Sequence, residues 1–438
     1  MYWLDRIPTP LKIAAVYLGF VAFGALLLSL PFASHDGLSV SEASFTAMSA
    51  VTVTGLSVIS AGDDLTYGGQ AVLFFLIQMG GVGLITLTVA VLALLGGKVG
   101  IDGRKLLRGD TGASRDAKLF GLVKRIVKVV VVFELAAAGL LACVFVPEYG
   151  WGQGLWHAAF HAVSAFNHAG FDLFGDSLKG YTGNPFVLLV TSTTFILSTL
   201  GFLVYSDMRE NWHWGQLSLH TKLMLVGTPV LLVVPFALIL WLEWSNPGTL
   251  GPLGTTDKLA AGWFTAATPR TAGFAAVDTA SLTPASNWLV TALMIVGGGS
   301  GSTAGGIKVT TVVVLALAAI AFFRKSGDVR VFRTSVAADQ VQKALALMWI
   351  TLIIYLVATF ILLATQDIDP ADIQFEAMSA LATVGLSRGA TGELDQIGRI
   401  VIMVLMFLGR LGPLTLGYII AAQRPPLTTY PNGEIHLG

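Results

Sequence analysis

Four segments of this chain line up without gaps, and each ends in a glycine ten positions after an aromatic residue. They run from Phe45 to Gly55, Phe160 to Gly170, Trp263 to Gly273 and Phe375 to Gly385, with small residues at helical spacing between. The four glycines lie 115, 103 and 112 residues apart, close to a quarter of the 438-residue chain each time. Such a period marks one supersecondary unit used four times, which constrains the fold more than any single motif.

Hydropathy defines the rest of the unit. The chain is 54% hydrophobic and 12% charged, against about 25% charged in a typical soluble domain. Long apolar stretches begin near Leu11, Tyr67, Leu119, Phe186, Leu219, Asn287, Ala344 and Ile397, and a bilayer core needs about 20 such residues per helix. They fall one before and one after each glycine segment. The expectation is an all-α integral membrane protein of eight transmembrane helices, built as span, short helix, glycine-bearing strand, span, four times over. The first apolar run follows Arg6 and Lys12 and ends at Pro31, Phe32 and Ala33. It has the outline of a secretory signal, yet it is the first member of the repeat.

Basic residues orient the spans. Lys98, Arg104, Lys105, Arg108, Arg115, Lys118, Lys124, Arg125 and Lys128 crowd one connection, and Arg324, Lys325, Arg330, Arg333 and Lys343 another. By the positive-inside rule these connections are cytoplasmic, as are both termini. They serve as a topology signal, as a docking surface for a soluble partner, or as both. The outward connections hold only Lys179, Lys258, Arg270, Arg388 and Arg399 as cations and are rich in acids such as Asp36, Glu42, Asp63, Asp64, Asp172 and Asp176. An acidic vestibule of this kind concentrates cations. Overall, 26 basic residues balance 26 acidic ones, so no bulk field favours nucleic acid. The single cysteine, Cys143, excludes an internal disulfide and a cysteine zinc site.

A helix of about ten residues cannot cross a bilayer, so each glycine segment must re-enter and return on the same side. Irregular backbone at that depth survives only where it is buried in protein or lines water. Four such loops meeting on one axis make a ring of backbone carbonyls that can replace the hydration shell of a monovalent cation. The glycines permit the positive φ that the turn needs. The helix C-termini, partly negative, would face the same axis.

The stretches around these glycines (Thr52 to Ser57, Asn167 to Phe171, Thr268 to Phe274 and Ala382 to Ser387) resemble the four selectivity filters of the Trk/Ktr/HKT superfamily of potassium transporters. The resemblance covers nearly the whole chain, and the early start of the first repeat is closer to the Ktr-type membrane subunit than to the longer Trk type. It implies span–pore-helix–filter–span repeats around one central pore and K⁺ as the transported ion, with Na⁺ a candidate activator. No cofactor is expected on the chain itself. Filter residues carried over are Thr52, Val53, Thr54 and Gly55; Asn167, His168, Ala169 and Gly170; Arg270, Thr271, Ala272 and Gly273; and Ala382, Thr383, Val384 and Gly385. Only the glycine is common to all four. The resemblance further implies a homodimer in the cell's inner membrane and a cytoplasmic ring of nucleotide-binding RCK subunits of the KtrA type.

The sixth apolar stretch is too long for one straight span. Its centre reads Gly297, Gly298, Gly299, Ser300, Gly301, Ser302, Thr303, Ala304, Gly305 and Gly306, six glycines in ten residues. A continuous helix there would be disfavoured by about 6 kcal/mol relative to alanine. A phosphate-binding loop is excluded, because Ile307 separates Gly306 from Lys308 and apolar runs flank both sides. The segment resembles the intramembrane gating loop of the same family and is expected beneath Gly273, across the pore. Lys308 and Arg410, two cations at membrane depth, are its natural partners. With free loop carbonyls they would form a barrier to cations; Arg410 also reads as a tether between repeats. Glu134 is a third intramembrane charge, and pairing with a buried cation or facing a dimer interface are both open for it.

The division that follows is repeat 1 over 1–97, a basic loop over 98–118, repeat 2 over 119–206, a loop over 207–218, repeat 3 over 219–323, a basic loop over 324–343, repeat 4 over 344–422 and a tail over 423–438. His157, His161 and His168 have metal-like spacing, but they lie on the second short helix with no carboxylate between the first two, so packing is the better reading. For His168, pH sensitivity is the alternative. The rival class is a secondary carrier of a small organic solute with two rocking halves, and four like-oriented copies argue against it. No catalytic constellation has a soluble domain to occupy, so an enzyme is not expected.

Overall fold

The computed structural model describes residues 9–94 and 115–412, with side chains for 11–82, 121 and 123–412. The expected basic loop at Lys98, Arg104, Lys105 and Arg108, the end of repeat 4 from 413 and the tail 423–438 lie outside the described residues.

The described residues are mostly helical. The stretch expected as repeat 1 holds α1 (Thr9–Leu28), α2 (Val40–Thr52) and α3 (Tyr67–Leu94); that expected as repeat 2 holds α4 (Arg115–Tyr149), α5 (Trp151–Asn167), α6 (Pro185–Leu200) and α7 (Phe202–Glu210). In repeat 3 stand α8 (Leu219–Glu243), α9 (Thr255–Ala267), α10 (Pro284–Met294) and α11 (Val309–Phe323). Repeat 4 holds α12 (Ala338–Thr365), α13 (Pro370–Ala382), α14 (Ala390–Glu393) and α15 (Gln396–Leu411). Each of the eight apolar stretches therefore starts a helix within a few residues of the expected place.

Local chemistry sets the starts. Ser39 and Glu42 form a reciprocal capping box ahead of α2, and Ser218 and Asp395 accept backbone N–H groups ahead of α8 and α15. Asn184, Thr283 and Asp369 each cap a helix whose first residue is proline. A proline ring suits that position because its missing N–H would have no helical partner there.

Among the described residues, four helices are long and apolar enough to cross a bilayer: Leu11–Leu28, Val123–Tyr149, Leu219–Glu243 and Ala338–Thr365. A fifth is added if α6 and α7, bent by 75°, count as one. That bend departs from the straight fourth span expected from hydropathy. It occurs at Gly201, whose φ is 85° and where an added β-carbon would stand 2.8 Å from the Ser300 carbonyl oxygen. The Phe202 N–H then donates to the Gly301 carbonyl at 3.0 Å. Tertiary contact with the glycine-rich loop sets this angle, so composition carries no sign of it.

A second departure is a small hairpin in the basic connection 324–343. Strands β1 (Val329–Val331) and β2 (Thr334–Val336) pair antiparallel, and Phe332 and Arg333 turn between them with φ of 48° and 62°. Two central residues with positive φ match the twist of flanking strands.

Two apolar cores support the four short helices. One joins α1, α2 and α3 to α13 and α15 around Leu28, Phe45, Leu73 and Met406. The other joins α4, α5, α6, α8 and α9 around Phe145, Phe195 and Phe264. The aromatics Phe45, Phe160 and Phe375 are fully buried. In repeat 3 the buried ring is Phe264, one residue beyond the aligned Trp263, whose Nε1 donates to Ser192 Oγ at 3.3 Å.

Close backbone packing makes Gly154 a sharp test of this scaffold. A β-carbon there would lie 2.5 Å from the Phe145 carbonyl oxygen and 2.6 Å from Val146 Cα, atoms that cannot yield alone. Gly154→Ala should lower stability by about 1–3 kcal/mol despite alanine's helix preference, measurable as a reduced thermal midpoint of the purified protein.

Candidate functional site

Helices α2, α5, α9 and α13 contain 13, 17, 13 and 13 residues, or about 20–25 Å at 1.5 Å per residue. Each delivers its C-terminal end to one of the four glycine segments. The chain then turns left-handed at the same register in every repeat: φ is 54° at Val53, 62° at His168, 67° at Thr271 and 51° at Thr383. Positive φ is uncommon outside glycine, and rarer still for β-branched residues such as Val53. Two residues on, Gly55, Gly170, Gly273 and Gly385 are left-handed again, with φ of 95°, 67°, 79° and 92°. The glycine role was legible in the sequence. The strained position two residues before it was not, because valine, histidine and threonine all occupy it. Strain of this kind persists only where the surroundings over-determine it.

The four segments meet. A β-carbon on Gly55 would stand 3.0 Å from Gly170 Cα, one on Gly170 2.9 Å from Gly273 Cα, and one on Gly273 3.3 Å from Gly385 Cα. At Gly385 it would stand 3.0 Å from Gly55 Cα and would collide with the Thr54 carbonyl. The contacts thus run 55–170–273–385 and back to 55, a closed ring with Thr54, Ala169, Ala272 and Val384 adjoining it.

Hydroxyls that the sequence reading did not single out buttress this ring. Ser49 Oγ accepts the Gly55 N–H at 3.0 Å, and Ser379 Oγ accepts that of Gly385 at 3.1 Å. Ser164 Oγ donates to the Phe171 carbonyl at 2.7 Å, and Thr268 Oγ1 to that of Phe274 at 2.6 Å. The available signal was a serine at matching positions 49, 164 and 379. Glu376, also missed, is fully buried behind the fourth segment and accepts from Ser387 Oγ at 2.6 Å, Arg388 N at 3.0 Å and Thr391 Oγ1 at 2.6 Å.

The glycine-rich segment 297–306 interrupts the sixth apolar stretch between α10 and α11. Its ends are joined by Gly297 N–H donating to the Ile307 carbonyl at 2.9 Å, and it contacts the second, third and fourth repeats directly. Gly299 N donates to the Thr199 carbonyl at 2.8 Å, and Thr303 Oγ1 to that of Phe166 at 2.9 Å, both in repeat 2. Arg270, from the third glycine segment, donates from Nη2 to the Gly297 carbonyl at 2.9 Å. Gly305 packs so closely on Thr383 Oγ1 that a side chain there would collide with it. Gly298, Ser300, Gly301, Ser302, Ala304 and Gly306 complete the turn.

Three cations meet this segment, and carbonyl oxygens receive them. Lys308 Nζ donates to Ala304 at 2.7 Å. Arg410, 6% exposed, donates to Thr303 from Nη1 at 2.6 Å and to Gly80 from Nη2 at 2.7 Å, which ties repeat 4 through the loop to repeat 1. Arg270 is 2% exposed, and its Nε and Nη1 have no partner among the described residues. His168 lies beside this group, its Nδ1 3.2 Å from the Thr271 carbonyl and its Nε2 3.3 Å from Thr199 Oγ1. His157 and His161 pack instead among Phe145, Tyr149 and Phe174. Glu134 meets Gln78 and Asn167, partners not among those weighed from sequence.

A family model described as TrkH, a cation transport protein, matches residues 20–425. The chain belongs to the TrkH family. A potassium uptake protein B of the Ktr system from Bacillus subtilis is 42% identical over 433 residues, covering 98% of this chain and 97% of that relative. The potassium/sodium uptake protein NtpJ of Enterococcus hirae is 37% identical over 435 residues, covering 97% and 96%. The crystal structure of the potassium transporter TrkH from Vibrio parahaemolyticus matches with a TM-score of 0.75 at 22% identity, covering 93% of this chain and 85% of that one. A TrkH-type fold therefore extends over nearly the whole sequence, and the family is one of transporters.

If the buttress matters, Ser379→Ala should leave the Gly385 N–H buried and unpaired and destabilise this TrkH-family chain by about 1–3 kcal/mol. Thr46→Val is the control, since Thr46 Oγ1 is buried without a hydrogen-bond partner and its loss should be neutral or stabilising. Equal thermal midpoints for the two variants would contradict the assignment.

Proposed function

We propose that the chain takes up potassium ions across the cell's inner membrane through one fourfold pseudo-symmetric pore. The observation that carries this reading is the closed ring of four left-handed glycines, one per repeat, next to a loop hydrogen-bonded to repeats 2, 3 and 4 and linked to repeat 1 through Arg410. Relatives named for potassium uptake, aligned over almost their full length, support the choice of ion. The ring supplies backbone carbonyls in place of water around the ion, and the four short helices add the partial negative charge of their C-termini. Filter residues are those at 52–55, 167–170, 270–273 and 382–385. Eight crossings in four repeats, with the boundaries expected from hydropathy and both termini cytoplasmic, complete the architecture. The bent α6–α7 pair and the broken α10–α11 pair count as the fourth and sixth crossings.

Segment 297–306, with Lys308 and Arg410, is the gate of this scheme. Buried cations at the loop oppose a passing cation, and the carbonyls that compensate them are the bonds that must break for the loop to move aside. A nucleotide-binding cytoplasmic ring of the RCK type, docked on the basic connections of a homodimer, would drive that movement. Sodium is a candidate activator; the Enterococcus relative is named for the uptake of both ions.

Rubidium-86 uptake in cells lacking potassium uptake tests the whole reading, which fails if the chain restores none. Serine at 55, 170, 273 or 385 faces both a φ of 67° or more and a crowded ring. Such changes should reduce preference for K⁺ over Na⁺ about tenfold, or roughly 1.4 kcal/mol. An unchanged preference in all four variants would falsify the ring. Arg410→Ala, or deletion within 299–304, should raise flux in proteoliposomes lacking the cytoplasmic partner; wild-type flux in both would remove the gate assignment.

A further inference from the structure

The position three residues before each ring glycine is anchored differently in every repeat. Thr52 bonds within its own repeat, Oγ1 donating to the Met48 carbonyl at 2.7 Å and meeting Thr54 Oγ1 at 2.8 Å. Arg270 is held by the loop carbonyl of Gly297. Ala382 has no polar side chain, and its carbonyl lies against the loop at Gly305 and Gly306. Asn167 is held by a carboxylate from within a membrane helix. Its Nδ2 donates to Glu134 Oε1 at 2.9 Å and is shared with Gln78 Oε1 at 3.1 Å and the Val163 carbonyl at 3.0 Å. Gln78 Nε2 donates in turn to Glu134 Oε2 at 2.7 Å. The two carboxyl oxygens thus hold two amides, and the triangle ties the end of α5 to both α3 and α4.

The surroundings make this a built arrangement. Glu134 is 7% exposed although Val131, Val132 and Leu135 beside it on α4 are among the exposed large apolar residues. A side chain at Gly81 on α3 would collide with Asn167 Oδ1, so the glycine leaves room for the amide. An ionisable group on a membrane helix is costly and marks function by default. Here it does not meet the proposed ion path directly; it reaches it through Asn167. The next residue, His168, is left-handed and contacts Thr271 Oγ1 at 3.1 Å, so a displaced Asn167 would disturb the second and third filter segments together.

We propose that Glu134 is a positioning residue for ion selection. It clamps Asn167, with Gln78 as brace, and so sets the direction of the carbonyls at 167–169. The filter is then anchored unequally. Segment 1 is held within its own repeat, and segments 3 and 4 rest on the intramembrane loop. Segment 2 touches the loop through Thr303 on the Phe166 carbonyl but has in Glu134 a second anchor that belongs to a helix. This inference rests on the filter reading above.

The test uses the full chain in proteoliposomes, measuring rubidium-86 uptake for apparent KM, maximal rate and competition by Na⁺. Glu134→Ala should lower K⁺ over Na⁺ preference about tenfold and raise KM, with maximal rate within about threefold of wild type. Glu134→Gln keeps an oxygen for Asn167 but makes Gln78 turn its amide and give up its own bond to Asn167, so it should be milder than Glu134→Ala on every measure. Gln78→Ala should fall between the two, and it serves if Glu134→Ala does not fold. Gly170→Ser separates the two proposals. Should Gly170→Ser alter selection while Glu134→Ala and Gln78→Ala do not, or lower only the maximal rate, the positioning role is overturned. Should serine at all four ring glycines also leave selection unchanged, the filter reading itself fails.

Discussion

Backbone meeting backbone with no side chain between is the condition on which this molecule is organised. The ring at Gly55, Gly170, Gly273 and Gly385 leaves no space for a β-carbon at any member, and each member has a positive φ that other residues adopt at a cost. Much else serves to bring four chain segments to that point. The short helices are long enough to reach inward and too short to cross, and their buried aromatics fix them in two apolar cores. The serine and threonine hydroxyls at the ends of those helices occupy the N–H and carbonyl groups that the turns would otherwise leave unpaired.

Charge inside the structure is balanced by neutral groups. Arg410, Lys308 and Arg270 donate to carbonyls of a loop that has no helix of its own to satisfy them. Glu134 and Glu376 accept from amides, hydroxyls and backbone N–H groups, and Glu243 does the same with Thr249, Asn246 and Thr283. Neutral partners meet these charges without a tight ion pair, although Arg270 Nε and Nη1 and Arg410 Nε have no partner among the described residues. For the loop cations, attachment to the glycine-rich backbone is one hydrogen bond each.

Pseudo-symmetry and its breaking have separate origins. The glycine ring is fourfold because one unit is repeated, yet Thr52, Asn167, Arg270 and Ala382 occupy one register with four different anchors. The loop of repeat 3 contacts Thr199 and Phe166 of repeat 2, Arg270 of repeat 3, and Thr383 and Arg410 of repeat 4. The 75° bend at Gly201 belongs to the same asymmetry, since Ser300 and Gly301 are what the bent chain meets.

The period of the glycines, the starts of the apolar helices, the break at 297–306 and the isolated cations were all legible in the chain. They depend on local composition and on the length of a bilayer crossing, and both are written residue by residue. The partners of Glu134, the left-handed turn at Val53, His168, Thr271 and Thr383, the bend at Gly201 and the carbonyls that receive Arg410 were not. These are set by atoms distant in sequence; Arg410 and Gly80 are 330 residues apart. A membrane excludes water as an alternative hydrogen-bond partner, so each buried polar group must find a protein partner. Sequence pattern dictates that such a partner exists, and packing alone selects which one.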